Sequence, residues 1–390
     1  DFDVLGYERT PAENWELFSS LETVKVASGA GYSLFLKSDG TVWACGGVGG
    51  NEPAQIPGLT GIVDIAAGYD ALALHGDGTV SEIGSYGGVA WKVTGLTDVK
   101  SMAASHTAHF LVVKNDGTAW GWGENTWGQA GGDAAIFEDY EYGTILVGFE
   151  YVGSPTQIKS SYSTPFTGAD SVYTGLEASY ILDNNHNLYR LGYRGISFAP
   201  ETNSCYALQC AQNVEYFASG VSGVSLQILQ NGEADFFAKG QSYSFNAMDL
   251  EDVKALDGNL ILKNNGTVWK WNMDEEADPQ ITIEQIEGID NVIGVSYGYG
   301  GSAYGPYGYH ALMIKDDGSV WGVGDNSCGE QGNGTTEPIL IPQQIILGPT
   351  VTQETVLVDE QYGVANNPAY QLDQNGLESI GWSEFDQPNK

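Results

Sequence analysis

The sequence predicts an all-β fold built by repeating one four-stranded unit, and three observations predict it. A phrase of fixed form recurs: LKSDGTVWACGG at 36–47, VKNDGTAWGWGE at 113–124, LKNNGTVWKWNM at 262–273, IKDDGSVWGVGD at 314–325 and, more loosely, LHGDGTVSEIGS at 74–85. Glycine supplies 53 of the 390 residues, about twice its ordinary share, as tight β turns demand. No long stretch carries the 3.6-residue period of an amphipathic helix.

Each phrase is an apolar run, an Asp-Gly or Asn-Gly pair and a second run with an aromatic at its centre, the pattern of a β-hairpin closed by a two-residue primed turn. Upstream lies a further apolar run ending in small residues, as in VKVASGAGYSLFLK (24–37), IVDIAAGYDALALH (62–75) and VKSMAASHTAHFLVVK (99–114). Downstream, a proline often introduces a fourth piece, as in EPAQIPGL (52–59) and SPTQIKS (154–160). Four short strands per repeat make a propeller blade. Turns fall at Asp39-Gly40, Asp77-Gly78, Asp116-Gly117, the degenerate run Asp183 to Asn187, Asn231-Gly232, Asn265-Gly266, Asp317-Gly318 and Asn375-Gly376, eight in all. Their spacing of roughly 50 residues is in the range for a propeller.

The expected architecture is therefore an eight-bladed β-propeller occupying residues 1–390 as one domain, with residues 1–22 completing the last blade so that N- and C-terminal strands close the ring. If the degenerate fourth turn or the last hairpin is not a blade, the ring has seven.

Charge narrows the partners. Fifteen Lys and Arg against fifty Asp and Glu leave a formal net charge of −35, which disfavours nucleic acid, because phosphate neutralisation needs a basic face. Self-repulsion of this size suits a monomer. No apolar run is long enough to span a membrane. A chain starting at Asp1 reads as a mature secreted or cell-surface protein, or an excised domain. Cys205 and Cys210 in NSCYALQC are spaced for a local disulfide in an oxidising compartment, with four reduced thiols as the alternative.

The segments ENTWGQAG (124–131) and DNSCGEQGNG (325–334), each directly after its hairpin, together with the AAG or ASG that ends several first strands, resemble the regulator-of-chromosome-condensation-type repeat over nearly the whole chain. The resemblance implies the propeller fold and leaves function open, since such propellers serve many functions. The eight-fold count, the extracellular character and the tyrosine-rich insertions further resemble the propeller domain of vibrio biofilm-matrix adhesins, which implies exopolysaccharide as ligand.

Catalytic constellations are scarce. Of the five histidines, His109 and His310 occupy the same place in their repeats, which favours a structural role. No nucleophile elbow, phosphate loop or calcium-loop signature is present, so no cofactor is expected. The acidic runs DEEAD (274–278) and FEDYEY (137–142) offer oxygen ligands for Ca2+. The reading is a non-enzymatic binding propeller that takes an acidic exopolysaccharide. The alternative is a protein-binding propeller, inhibitor or scaffold. A third reading, a polysaccharide lyase, would use His106 and Tyr69 beside Lys100.

Two sets of residues are candidates for the site. Insertions at 124–155, 193–212 and 297–310 lie on the face opposite the hairpin turns and are rich in rings suited to stacking. They nominate Trp127, Tyr193 and Tyr307, with Tyr32, Tyr69 and His106 beside them. The second set lies on the innermost strands, where Lys25, Asp64, Lys100, Tyr173, Glu215, Lys254, Ile293 and Leu357 are expected on a common side. Lys25, Lys100 and Lys254 would make the channel mouth basic unless Asp64 and Glu215 pair with them.

Overall fold

The polar residues of the repeated phrase hold its hairpin together. In blade 1, Asp39 Oδ1 accepts from the Thr41 N–H (2.9 Å) and hydroxyl (2.7 Å), and the Thr41 hydroxyl in turn accepts from Trp43 Nε1 (3.1 Å). The same relay runs through Asp116, Thr118 and Trp120, through Asn265, Thr267 and Trp269, and through Asp317, Ser319 and Trp321. The turn differs from the two-residue primed form expected. Gly40 donates to Lys37 O, Lys37 donates to Thr41 O, and only Gly40 (φ 79°), not Asp39, has positive φ. That is a three-residue loop, a type I turn followed by a glycine bulge. The degenerate fourth turn has the same geometry, with His186 (φ 61°) in the glycine place.

The computed structural model describes residues 4–5, 22–47, 50–84, 88–132, 135–140, 143–161, 163–192, 207–220, 224–238, 241–245, 250–274, 280–299, 308–345, 370–373 and 376–379. The chain divides into two units, 1–348 and 349–390. The first contains seven blades, each of four antiparallel strands ordered from the axis outward; in blade 3 the hairpin of Ala135–Tyr140 and Gly143–Phe149 is inserted before the fourth strand, Val152–Gln157. Their innermost strands are Thr23–Ser28, Ile62–Ala67, Val99–Ala104, Ala169–Thr174, Val214–Ser219, Val253–Asp257 and Val292–Tyr299. In the second unit Tyr370–Asp373 pairs with Gly376–Ser379 as a hairpin.

The ring thus has seven blades, the smaller of the two expected counts, and blades 1 and 7 meet directly; residues 1–3 and 6–21, expected to complete the last blade, lie outside the described residues. Blade 1 is complete from Thr23 to Gln55, and its first strand packs directly on that of blade 7, where the Ser28 N–H donates to Ser296 Oγ (2.9 Å). Joining the chain ends is needed only when one blade is shared between them, and here every blade is continuous in sequence. Near the N-terminus, Val4–Leu5 pairs with Ala90 and Trp91 at the outer edge of blade 2.

Apolar clusters fill the spaces between successive blades, as Leu34, Ile56 and Leu59 of blade 1 do against Ile65 and Ala73 of blade 2. Backbone bonds tie the same neighbours: Ile62 N donates to Gly40 O, Val99 N to Gly78 O and Val292 N to Gly266 O. A side chain at Gly78 would lie 2.9 Å from the Asp98 backbone. The turn glycine therefore serves two constraints, positive φ and close approach to the next blade.

Every first strand is bulged after its first residue. The bulge moves the register by one residue and corrects the expected ring. The exposed residues at the bulge are Val24, Val63, Lys100, Asp170, Glu215, Lys254 and Ile293. Lys25 and Asp64 lie one position further along, and Tyr173 further still; Leu357 is outside the described residues.

Candidate functional site

Antiparallel connectivity gives the ring two faces. Hairpin turns and the starts of the first strands lie on one. The connections after the first and third strands lie on the other, here called the loop face. The nominated residues divide between them.

The three lysines lie on the turn face and each bridges to the next blade. Lys25 pairs with Asp64, Lys100 Nζ lies 3.1 Å from Asp170 Oδ1, and Lys254 Nζ donates to the Ile293 carbonyl (3.2 Å). Lys100 takes Asp170 rather than Glu215 because the bulge puts Asp170 beside it. Two of the three expected cations are thus paired with carboxylates and the third is bonded to a carbonyl, so the lysines act as interblade clamps.

On the loop face the nominated aromatics have different fates. Tyr32 is a core residue, 1% exposed, with its ring where any side chain at Gly29 would stand. Trp127 is half-buried in its loop, its backbone N–H donating to Gln129 Oε1 (2.8 Å). Tyr69 is 37% exposed. Tyr193 and Tyr307 lie outside the described residues. His106 lines the central cavity of about 430 Å³, whose wall includes Ala27, Ala66, Ala103 and Ala218, and burial pushes its imidazole down to about 4. The lyase trio does not assemble. Lys100 begins a strand and His106 follows its end, six residues or about 20 Å away at 3.3 Å per residue. Cys210 is a free thiol donating to the Leu188 carbonyl (3.4 Å); Cys205, its expected disulfide partner, lies outside the described residues. Among the described residues no three His, Cys, Asp or Glu converge as metal ligands; Glu275 to Asp278 and Glu141 lie outside them.

The seams between blades contain what residue-by-residue reading missed. In blades 3 and 7 the loop after the third strand folds back as a wedge. Asn125 Oδ1 accepts from Ala130 N (2.9 Å), and Asn326 Oδ1 from Gln331 N (2.9 Å). Gln331 Nε2 donates to the carbonyls of Val323 (3.1 Å) and Asp325 (3.0 Å). From the blade 7 wedge, the Glu330 carbonyl accepts from Ser33 Oγ of blade 1 (2.7 Å). The paired histidines are staples across the same seams: His109 Nε2 lies 2.9 Å from Ser179 Oγ, and His310 Nε2 3.1 Å from Ser33 Oγ. Burial holds His109 down at about 3. The structural expectation for these two histidines thus agrees with their geometry.

Strand register aligns one position across the third strands: Ala44, Glu82, Gly121, Arg190, Phe236, Lys270 and Gly322. At this position Lys270, Phe236 and Glu82 reach the next blade. Lys270 Nζ lies 3.6 Å from the centre of the Tyr309 ring of blade 7, and Phe236 meets Trp271 of blade 6 edge-on at 5.2 Å. Glu82 accepts from Trp122 Nε1 of blade 3 (3.2 Å). Burial, and then the nearby Asp70, push the Glu82 carboxyl up to about 7 despite the indole bond. Tyr151 is 65% exposed, and burial, then the charges of Glu82, Asp70 and Glu124, hold its phenol above the usual value.

With this geometry in hand, residues 307–330 match the family model described as the regulator of chromosome condensation (RCC1) repeat. That segment is similar to the RCC1 repeat. The chain is 23% identical over 346 residues to the E3 ubiquitin-protein ligase HERC2 of Homo sapiens, across 82% of this chain, and 22% identical to its Mus musculus counterpart. It spans about 6% of the length of these relatives. Human WBSCR16 is similar in structure, with a TM-score of 0.50 at 15% identity over 83% of this chain and 82% of that one, a likeness of fold alone. The adhesin resemblance draws no support from these comparisons.

Proposed function

We propose that this chain is a protein-binding propeller whose partner docks on the loop face. The observation that carries the reading is the difference between the faces. The turn face repeats one hydrogen-bonded turn and closes its lysines into clamps, whereas the loop face varies from blade to blade and exposes Tyr69 and Tyr151. Exposed tyrosines are frequent anchors at protein interfaces. The likeness to HERC2 is compatible with a module inside a larger assembly. The exopolysaccharide reading is set behind this one because the cations it relied on are bonded within the ring.

Affinity capture followed by cross-linking tests the reading. The expected result is a protein whose cross-links fall on the loop face and whose capture is reduced by Tyr69→Ala with Tyr151→Ala, but not by Lys25→Gln with Lys254→Gln. Saturable glycan binding by a chain that captures no protein would reverse the choice.

A further inference from the structure

The axis of the ring carries one departure from its own repeat. Register between first and second strands aligns one position across the seven blades, and every residue at that position lines the central cavity of about 430 Å³. In four blades it is alanine: Ala27, Ala66, Ala103 and Ala218. Blade 4 has Tyr173, whose ring turns edge-on to Phe217 of blade 5 at 5.2 Å, and blade 7 has Ser296. Blade 6 has Asp257, the only carboxylate in the cavity wall among the described residues.

Closing the ring does not account for that carboxylate. At the same level, the seam between blades 7 and 1 is bridged by neutral groups, with Ser296 Oγ accepting from the Ser28 N–H (2.9 Å) and Ser28 Oγ donating to the Ser296 carbonyl (3.3 Å). Alanine, in four blades, offers no such bond, and the seams hold. Asp257 accepts from the Ser296 hydroxyl and the Tyr297 N–H, and a carboxylate has room for about four such bonds. Lys25, the one lysine or arginine of the wall, is already paired with Asp64. Burial pushes the Asp257 carboxyl up to about 6 despite both hydrogen bonds and the charge of Lys25. A buried charge held this way is stabilised by a cation that enters beside it.

The rest of the wall narrows the chemistry of that cation. Among the described residues no three His, Cys, Asp or Glu converge as metal ligands. His106, the one imidazole of the wall, is held down at about 4 by burial, so it is neutral at pH 7 and does not repel a cation. With two donors already on the carboxylate, the remaining acceptor positions suit the point charge of an ammonium better than the paired donors of a guanidinium. The alanine methyls offer an apolar wall to a short alkyl chain, and a cavity of this size is in the range of small-molecule sites. The formal net charge of −35 raises the local concentration of any cation at such an enclosed point. We propose that the axial cavity binds a primary ammonium group, its charge on Asp257 and its alkyl body against the alanine ring. Asp257 ends its strand at the loop-face end of the cavity, so the group can come from a free small amine or from a lysine side chain of a partner on that face.

The test uses n-butylammonium chloride as the probe. Met102 lines the same cavity, and its methyl cross-peak in a 13C correlation spectrum, assigned with Met102→Leu, is the readout. The expected result is a saturable shift in the millimolar range that the uncharged isostere 1-butanol does not reproduce. Asp257→Asn, which keeps the shape and an acceptor, should weaken binding about fivefold or more. Ala66→Val, which narrows the alkyl wall and leaves the charge in place, should weaken butylammonium more than methylammonium. No shift, an equal response to butanol, or unchanged butylammonium affinity in either folded variant would overturn the proposal. With a captured partner in hand, its displacement by butylammonium assigns the ammonium to a lysine of that partner, and simultaneous binding of both assigns it to a free amine. An Asp257-dependent amine response in a chain that captures no protein would support the cavity and count against the protein-binding reading.

Discussion

The seam between blades 7 and 1 and the seam between blades 2 and 3 lie at equivalent positions in the ring, and they are filled in different ways. In the first, Gly322 yields space to a loop in which Asn326 accepts from Gln331 N, Gln331 Nε2 donates to the Val323 carbonyl and the Glu330 carbonyl accepts from the next blade. In the second, the loop is short and one half-buried carboxylate stands in the same space against an indole. The difference teaches that one ring closes its seams in two ways. A seam filled by the chain's own wedge holds the ring closed. The seam between blades 2 and 3 is held by a buried apolar cluster drawn from both blades, Leu72, Leu74 and Val80 against Met102, Phe110 and Val112 among them, so its closure does not depend on a wedge.

The sharpest way to break this comparison is to put the same side chain into both kinds of seam. Gly121→Val drives its side chain into the Ala130 backbone and should cost about 3 kcal/mol or more, as overpacking and backbone displacement do. Glu82→Val, at the equivalent position, should be neutral or stabilising. Urea denaturation of the pair checks both. Next in size, Asn326→Ala removes the acceptor for Gln331 N and the donor to the Glu337 carbonyl (3.0 Å). Leaving buried groups unpaired should cost about 2 kcal/mol, and limited proteolysis should then cut first near the seam between blades 7 and 1.

The pH dependence sharpens the contrast. Glu82 has its folded value raised to about 7 from 4.5, so the folded state binds this proton more tightly than the unfolded chain. Its contribution is fully present below about 4.5 and is lost as pH rises through 7. Glu82→Gln should therefore be more stable than the parent at pH 8, by about 2 kcal/mol, and the gain should vanish near pH 4. His109 runs in the opposite direction. Its folded value is depressed to about 3 from 6.5, so the unfolded chain takes up the proton first and stability falls as pH drops below 6.5. His109→Gln should flatten that acid limb in thermal melts. The smallest effect is expected at the turn face: Lys100→Gln removes an exposed pair and should change stability by less than about 1 kcal/mol.

Much of this was legible in the sequence, for reasons that differ by element. The Asp-Gly-Thr-x-Trp phrase announces its hairpin because the polar residues that repeat are the ones that bond one another. The recurrent His109 and His310 announce a structural role because a staple must recur where its seam recurs. The eighth turn could not be told from a blade, since Tyr370–Asp373 and Gly376–Ser379 do pair as a hairpin and pairing alone does not say whether two further strands join it. Lys25 and Asp64 were misplaced by one position because a bulge leaves no mark in hydrophobic alternation. Tyr32 was taken for a contact because Gly29, which makes room for its ring, signals only a turn when read in sequence. Glu82 was visible all along as the one acidic residue in the third strand of VSEIGS, yet its meaning needed the register that sets it beside Ala44, Gly121 and Gly322.

The most direct measurement of the central claim is a calorimetric titration of the captured partner against two double variants of equal fold. Glu82→Gln with Tyr151→Ala alters the seam between blades 2 and 3 on the loop face, and Lys25→Gln with Lys254→Gln alters the clamps on the turn face. The account predicts at least a tenfold loss of affinity in the first and no change in the second. Full affinity in the first with a loss in the second would contradict it and place recognition at the clamped mouth of the channel.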